Sequence, residues 1–207
     1  MASALLGLGR LDEAAQYAEL AVDGHEQSRD VLAQIRIRQG DLGSAAPIVE
    51  EALARRGSRL GPLLTAAELR FSQNRFREAL DLTDELLSEF GDRTDWPSIR
   101  GAYYLRGSCF AQLEELDKAA EAYANETDLF PAELDAFTSL AVVYTMQGNS
   151  LQARASLQRM VEENPTAIAH AKAVQTLRRI GQPAVAASVL QDALRRWPQD
   201  PALRELG

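Results

Sequence analysis

An alanine recurs along this chain at a nearly constant interval, each time inside a similar helical pattern of apolar residues. The recurring residues are Ala14, Ala45, Ala79, Ala119, Ala153 and Ala186. Their successive spacings are 31, 34, 40, 34 and 33 residues. A period of about 34 residues is typical of stacked helix-turn-helix units. The 207 residues leave room for about six such units, so the spacing predicts an all-α repeat protein.

The helical pattern is clearest in the second half of the chain. A first apolar stripe runs over residues 137–144 and is interrupted by Gly148-Asn149. A second stripe surrounds Ala153 and ends before Asn164-Pro165, because proline disfavours helical geometry at the residue before it. The neighbouring units end in the same way, at Phe130-Pro131 and Trp197-Pro198.

This order of large, small, aromatic and proline positions resembles the tetratricopeptide repeat family over essentially the whole chain. The resemblance implies a right-handed α-solenoid of about six repeats, with a truncated first repeat and a partial terminal helix. In that family, small residues let the two helices of a unit approach closely. Here they are Gly107 or Ala141 in the first helix and Ala119 or Ala153 in the second.

We expect a single solenoid over residues 1–207. The approximate units are 1–25, 26–59, 60–99, 100–133, 134–166 and 167–199, with 200–207 beginning a further or capping helix. The third unit holds an insertion around Trp96, which either packs as a staple or serves as a contact residue. Pro47 and Pro183 are expected near the starts of their helices, where a missing N–H is tolerable. Both ends look cut, so we expect part of a longer protein or ends completed by self-association.

The charge distribution limits the classes of partner. The net charge of −8 argues against general nucleic-acid binding, which needs a basic surface. Residues 167–207 carry six basic and three acidic side chains, a net +3, which leaves −11 on the first 166 residues. That asymmetry either orients a charged partner or is a solvated face. No apolar run is long enough to span a membrane, so no membrane insertion is expected. We expect a soluble protein, and the cytoplasm is the favoured compartment.

The sequence offers no arrangement of residues typical of catalysis. His25 and His170 stand alone, without the short spacings that metal sites use. Cys109 has no basic neighbour to make its thiolate reactive, so we interpret it as a small buried side chain. No glycine-rich phosphate loop follows a strand. We therefore expect a protein that is not an enzyme, with no catalytic residue, no metal and no cofactor.

The family resemblance implies a peptide-binding groove on the concave face. Groove-facing residues would lie on each first helix, opposite the small packing residue. This projection gives Gln34, Ile37, Arg38, Leu64, Glu68, Phe71, Tyr104, Ser108, Gln112, Thr138, Val142, Thr145, Met146, Ala171, Gln175, Arg178 and Arg179. A peptide would place apolar anchors against Phe71, Tyr104, Val142 and Met146, and an acidic group against Arg178 or Arg179. Alternatively, these are ordinary exposed residues of a scaffold.

Members of this family that hold the acidic tail of heat-shock chaperones use a clamp of Lys and Asn from adjacent first helices. The corresponding positions here carry Asp30 and Gln34, Leu64 and Glu68, Tyr104 and Ser108, Thr138 and Val142, and Ala171 and Gln175. The carboxylate clamp is absent, so chaperone-tail binding is not expected.

Three hypotheses for function remain open. The first is a non-enzymatic scaffold that binds a peptide or partner surface in the concave groove. The second is an interaction or regulatory region of a larger enzyme or regulator. The third is a self-assembling solenoid whose exposed terminal helices stack on other copies. The sequence leaves open the partner and whether the concave face, the convex face or the Trp96 insertion binds it.

Overall fold

A computed structural model describes residues 2–7, 9–21, 26–55, 60–90 and 99–207. These residues form α-helices joined by short turns, and none of them is in a strand. The helices are α1 (Ala2–Gly7), α2 (Leu11–Ala21), α3 (Glu26–Arg38), α4 (Leu42–Ala54), α5 (Leu60–Ser72), α6 (Phe76–Phe90), α7 (Ala102–Gln112), α8 (Leu116–Leu129), α9 (Leu134–Met146), α10 (Ser150–Glu163), α11 (Ala167–Arg179), α12 (Pro183–Arg196) and α13 (Pro201–Glu205). The all-α repeat fold predicted from the sequence is confirmed. The Trp96 insertion lies outside the described residues.

The chain divides into two compact units, Met1–Cys109 and Phe110–Gly207. In each unit the odd-numbered helices are first helices of repeats and the even-numbered ones are second helices. Within the first unit, α1 packs against α2, α3 against α4, and α5 against α6. Within the second unit, α9 packs against α10 and α11 against α12. The second helix of a repeat also contacts the first helix of the next repeat: α4 contacts α5, and α10 contacts α11. Neighbouring repeats therefore share the residues of their apolar core.

The recurring alanines lie in the interior of every helix pair. All six side chains are 0% exposed: Ala14, Ala45, Ala79, Ala119, Ala153 and Ala186. Each lies near the start of a second helix, where a methyl group is the largest side chain that fits between closely approaching helices. The sequence period therefore marks the points of closest helix packing.

The turn inside each repeat uses the left-handed backbone conformation at one fixed position. Five residues before each recurring alanine, the backbone φ is positive at Gly9, Gly40, Asn74, Glu114, Gly148 and Gly181. Glycine adopts this conformation readily, whereas a side chain with a Cβ is strained in it. Asparagine adopts positive φ more readily than most residues with a Cβ, so Asn74 fits this position. Glutamate has no such preference, so Glu114 at φ 62° is strained.

Two prolines differ in how well they fit their helices. Pro183 is the first residue of α12, as expected. Pro47 lies inside α4, five residues after the first residue of that helix and past its first turn, so the expectation that it lies near enough to the helix start for a missing N–H to be tolerable was wrong. The helix nevertheless continues to Ala54, and the carbonyl that loses its N–H partner belongs to Gly43, an exposed residue.

We predict that Ala186→Leu lowers the free energy of unfolding by about 1–3 kcal/mol, because extra methylenes would force α11 and α12 apart. The matched control is Ala187→Leu, one residue further along the same helix at an exposed position. It should change the stability by less than about 0.5 kcal/mol. Urea unfolding followed by circular dichroism measures both. Equal losses from the two variants would contradict the assigned packing face.

A reciprocal exchange tests the turn. Glu114→Gly should raise the free energy of unfolding by about 0.5–1 kcal/mol, because glycine relieves the strain of positive φ. Gly148→Glu should lower it by about 1 kcal/mol. A Cβ at Gly148 would meet no atom within 4 Å, so the loss would be conformational and not steric. The same urea titration measures both changes, and effects of the same sign would contradict this account.

Candidate peptide-binding face

The residues projected onto the groove all lie on first helices. They are Gln34, Ile37 and Arg38 on α3, Leu64, Glu68 and Phe71 on α5, Tyr104, Ser108 and Gln112 on α7, Thr138, Val142, Thr145 and Met146 on α9, and Ala171, Gln175, Arg178 and Arg179 on α11. Of these, Ile37 and Ala171 are buried and do not face the surface. Because the chain forms two units, the first-helix face of each unit is described separately.

In the first unit, several of these side chains already contact other residues of the same unit. The Gln34 amide donates to the Thr65 hydroxyl of α5 at 3.3 Å. The Arg38 guanidinium donates to the Leu6 carbonyl at 3.4 Å. The Phe71 ring packs against the ring of Phe76, with 5.4 Å between the ring centroids. Phe71 is thus already in contact with the second helix of its own repeat.

Glu68 lies on the same face and is partly buried. Burial raises the pKa of its carboxyl above the ordinary value, although the positive charge of Arg38 acts in the opposite direction. Further along this unit, the Ser108 hydroxyl donates to the Tyr104 carbonyl at 2.9 Å, one helical turn before it. Ser108 thus bonds within its own helix.

In the second unit, a polar pocket of about 250 Å³ lies between α9 and α11. It is lined by Asp135, Thr138, Lys172, Gln175, Thr176 and Arg179. Lys172, Gln175 and Arg179 are spaced three and four residues apart, so they share one face of α11. The Lys172 ammonium forms an ion pair with the Asp135 carboxylate, which joins the two first helices.

The two adjacent arginines of α11 differ in their surroundings. The Arg178 guanidinium donates an intramolecular hydrogen bond to the backbone carbonyl of Leu206. Arg179 is exposed and lines the pocket, and it has no hydrogen-bond or ion-pair partner within the described part of the chain. Of the two candidates for contact with an acidic group, Arg179 therefore offers the available guanidinium.

An apolar stripe on α9 continues from the pocket. Thr138, Val142 and Met146 are spaced four residues apart and so lie along one face of this helix. Val142 is half-buried and Met146 is 58% exposed. Thr145 lies beside them, but its hydroxyl donates to the Ala141 carbonyl at 2.8 Å. Gln112 at the end of α7 is exposed.

The sequence projection missed three residues of the pocket: Asp135, Lys172 and Thr176. Asp135 and Lys172 lie 37 residues apart, and only the packing of α9 on α11 brings them together. The opposite charges in corresponding parts of adjacent first helices were the signal that could have found them.

The two reactive residue types are engaged in packing. The Cys109 side chain is 0% exposed, and burial raises the pKa of its thiol to about 12, as expected for an inert buried cysteine. His170 is buried, with Nδ1 2.9 Å from the Thr166 carbonyl oxygen and its ring 5.0 Å from the Trp197 ring. His25 lies outside the described residues. Within the described ranges no group of three or more His, Cys, Asp or Glu could hold a metal ion.

The described helices include none that is long and apolar enough to cross a membrane. Family models described as tetratricopeptide repeat match residues 64–133 and 135–167. Together with the repeated helix pairs, these matches show that the chain belongs to the tetratricopeptide repeat family. Such repeats are typical of protein–protein interaction scaffolds and are generally not catalytic.

The chain is similar to several known proteins. The protein CTR9 homolog of Arabidopsis thaliana is 28% identical over 141 residues, which make up 67% of this chain and 12% of that protein. The structure of TTC0263, a protein of Thermus thermophilus, is 18% identical with a TM-score of 0.62, covering 87% of this chain and 95% of that one. PilF of Pseudomonas aeruginosa is 16% identical with a TM-score of 0.65, covering 99% and 92%. These structural likenesses show the fold alone.

We predict that Glu68→Gln is more stable than the parent chain at pH 7.5, because the variant carries no buried charge. A raised pKa means that the folded chain holds the Glu68 proton more tightly than the unfolded chain does. The parent therefore loses stability as pH rises from the ordinary carboxyl pKa through the folded one. The difference in melting temperature between variant and parent should shrink towards pH 4. Glu89→Gln, at an exposed carboxylate of α6, is the control and should show no such trend. A Glu68→Gln variant less stable at pH 7.5 would show that attraction to Arg38 outweighs burial.

Proposed function

We propose that this chain is a non-enzymatic scaffold that binds a peptide carrying an acidic side chain on the first-helix face of residues 110–207. The observation that carries the proposal is the exposed Arg179 guanidinium, placed in a polar pocket beside Gln175 and Thr138. A guanidinium presents paired N–H donors that match the two oxygens of a carboxylate.

The charges that line the pocket favour one carboxylate. Asp135 and Lys172 neutralise each other through their ion pair, which leaves the charge of Arg179 unbalanced. The Gln175 amide can donate to the same ligand. The Thr138 hydroxyl donates to the Asp135 carbonyl at 3.0 Å, so its oxygen remains able to accept a hydrogen bond from the peptide backbone.

Apolar side chains of the same peptide would lie on the stripe that continues along α9. Val142 offers a half-buried surface and Met146 an exposed thioether, a flexible side chain that adapts to different apolar partners. Mixed contacts of this kind, with a charged anchor beside apolar ones, are a recurring mode of peptide recognition. Residues 167–207, which include Arg179, carry six basic and three acidic side chains, and this local excess of positive charge supports an acidic ligand.

A second proposal concerns the protein that contains these repeats and not the chemistry of the site. The chain spans 12% of the length of the CTR9 homolog that it resembles. This supports the hypothesis that the repeats are the interaction region of a larger protein. An antibody against residues 110–207 tests it, because the native protein should then migrate well above 22.7 kDa on a denaturing gel. A single band near that mass would contradict it.

We predict that Arg179→Glu weakens peptide binding by about tenfold or more, because it replaces a charge-assisted hydrogen bond with a repulsion. The probe is a set of peptides selected on the parent chain from a random 16-residue display library. Their shared feature should be an Asp or Glu near apolar residues. Fluorescence anisotropy of labelled peptides then measures the dissociation constants.

The matched control is Arg196→Glu, the same change of charge at an exposed position of α12 outside the pocket. It should leave the affinity nearly unchanged, and the salt dependence should be weaker for Arg179→Glu than for the parent. If the selected peptides bind the two variants equally well, or contain no acidic residue, the pocket is not their site.

A further inference from the structure

The opposite side of the second unit carries two successive gaps between second helices. The gap between α8 and α10, with α9 as its floor, encloses about 250 Å³. The gap between α10 and α12, with α11 as its floor, encloses about 430 Å³. The two gaps occupy equivalent positions in consecutive repeats, so their linings can be compared residue by residue.

The first gap is bridged by Arg159 of α10. Its guanidinium donates to the Asp128 carboxylate of α8 at 2.7 Å and also pairs with Glu163 at 2.7 Å. It lies over the Phe137 ring, 5.4 Å from the ring centroid. One side chain thus spans this gap and contacts its floor.

The second gap has two acidic residues where the first has its ion pair. Asp128 and Glu162 each lie nine residues after the recurring alanine of their helix. Arg159 and Asp192 each lie six residues after theirs, so the pair Asp128–Arg159 becomes Glu162–Asp192. Two carboxylates repel each other and cannot bridge the helices. Each is instead bound within its own helix, Glu162 by Gln158 at 2.8 Å and Asp192 by Arg195 at 3.1 Å.

The floor also becomes smaller and the wall formed by the later second helix becomes apolar, whereas on the opposite wall Gln158 replaces Ala124. On the floor, Leu140 and Tyr144 of the first gap correspond to Ala173 and Leu177 of the second, 33 residues later. On the wall, Gln152 and Ser156 correspond to Val185 and Val189. A smaller floor deepens the gap, and valines in place of polar residues make its wall apolar. We call the second gap the α10–α12 groove.

The edge of the α10–α12 groove shows what kind of occupant would fit. Leu151 lines it and is 70% exposed. Arg154 also lines it, near the start of α10, and has no hydrogen-bond or ion-pair partner among the described residues. Glu162 lies towards the far end of α10 and is bound by the neutral Gln158 amide, whereas the charge of Asp192 is balanced by Arg195. The groove is therefore lined mostly by apolar residues, with a positive charge near one end and a negative charge near the other.

We infer that the α10–α12 groove binds an amphipathic helix of a partner protein. Apolar residues spaced three and four apart on that helix fill the space above Ala173 and Leu177, as in other helix-in-groove complexes. A carboxylate of the partner helix pairs with Arg154, and a Lys or Arg about two turns away faces Glu162. The groove shares no lining residue with the pocket around Arg179, so this interaction does not depend on the proposed peptide site.

The test uses the residues of the preceding repeat. The double variant Val185→Gln, Val189→Ser gives the wall of the α10–α12 groove the side chains of the first gap. The matched control is Ala184→Gln, Ala187→Ser, which makes similar changes at exposed positions of α12 outside the groove. Circular dichroism and thermal melting verify that both variants fold.

The probe is a display library of 18-residue helices with apolar residues fixed on one face and all other positions random, selected on the parent chain. We expect selected helices to carry an acidic residue at one end and a basic residue at the other. Their affinity should fall about tenfold or more in Val185→Gln, Val189→Ser and in Arg154→Glu, and should be kept by the control and by Arg179→Glu.

Three results would overturn the inference. The first is helices that bind the groove variant as well as they bind the parent. The second is selection without any charge pattern, together with unchanged binding to Arg154→Glu. The third is a parent chain that sediments as a dimer and becomes a monomer in Val185→Gln, Val189→Ser, because a second copy of this chain would then be the occupant.

Discussion

The close approach of two helices inside each repeat is the constraint on which the rest of this structure depends. The recurring alanines, such as Ala119 and Ala153, are fully buried because any longer side chain would separate the helices. A single helix pair cannot bury its apolar face alone, so each pair completes its core on the next. In the second unit this produces one continuous core from Phe137 to Leu203. Exposed ion pairs contribute little to such a fold, typically about 0–1 kcal/mol each.

Because the core residues are fixed by the repeat, the surface positions are free to differ between repeats. On the first-helix face, this freedom places Arg179 and Gln175 in a polar pocket. On the opposite face, it replaces the bridge between Asp128 and Arg159 with two carboxylates one repeat later. Substitutions at equivalent positions thus create two surfaces of different chemistry on one repeated scaffold: a basic, polar pocket and an apolar groove.

The sequence predicts the repeats well because burial of small residues is periodic, and it places the projected groove residues on first helices. It does not predict how those side chains are engaged. Phe71 contacts Phe76, and Arg178 binds the Leu206 carbonyl, since both contacts depend on rotamers and on the position of a neighbouring helix. The α10–α12 groove was missed for another reason. It arises from a missing bridge and a smaller floor, which only a comparison of consecutive repeats in three dimensions reveals.

The most direct test of the central claim is a nuclear magnetic resonance titration of the labelled chain with an acidic peptide selected on it. If the peptide binds beside Arg179, the largest shift changes should fall on Thr138, Lys172 and Gln175, and the amides of Val185 and Val189 should stay unchanged. Shift changes centred on α10 and α12, or spread evenly over the chain, would contradict the assignment of the first-helix face as the peptide-binding surface.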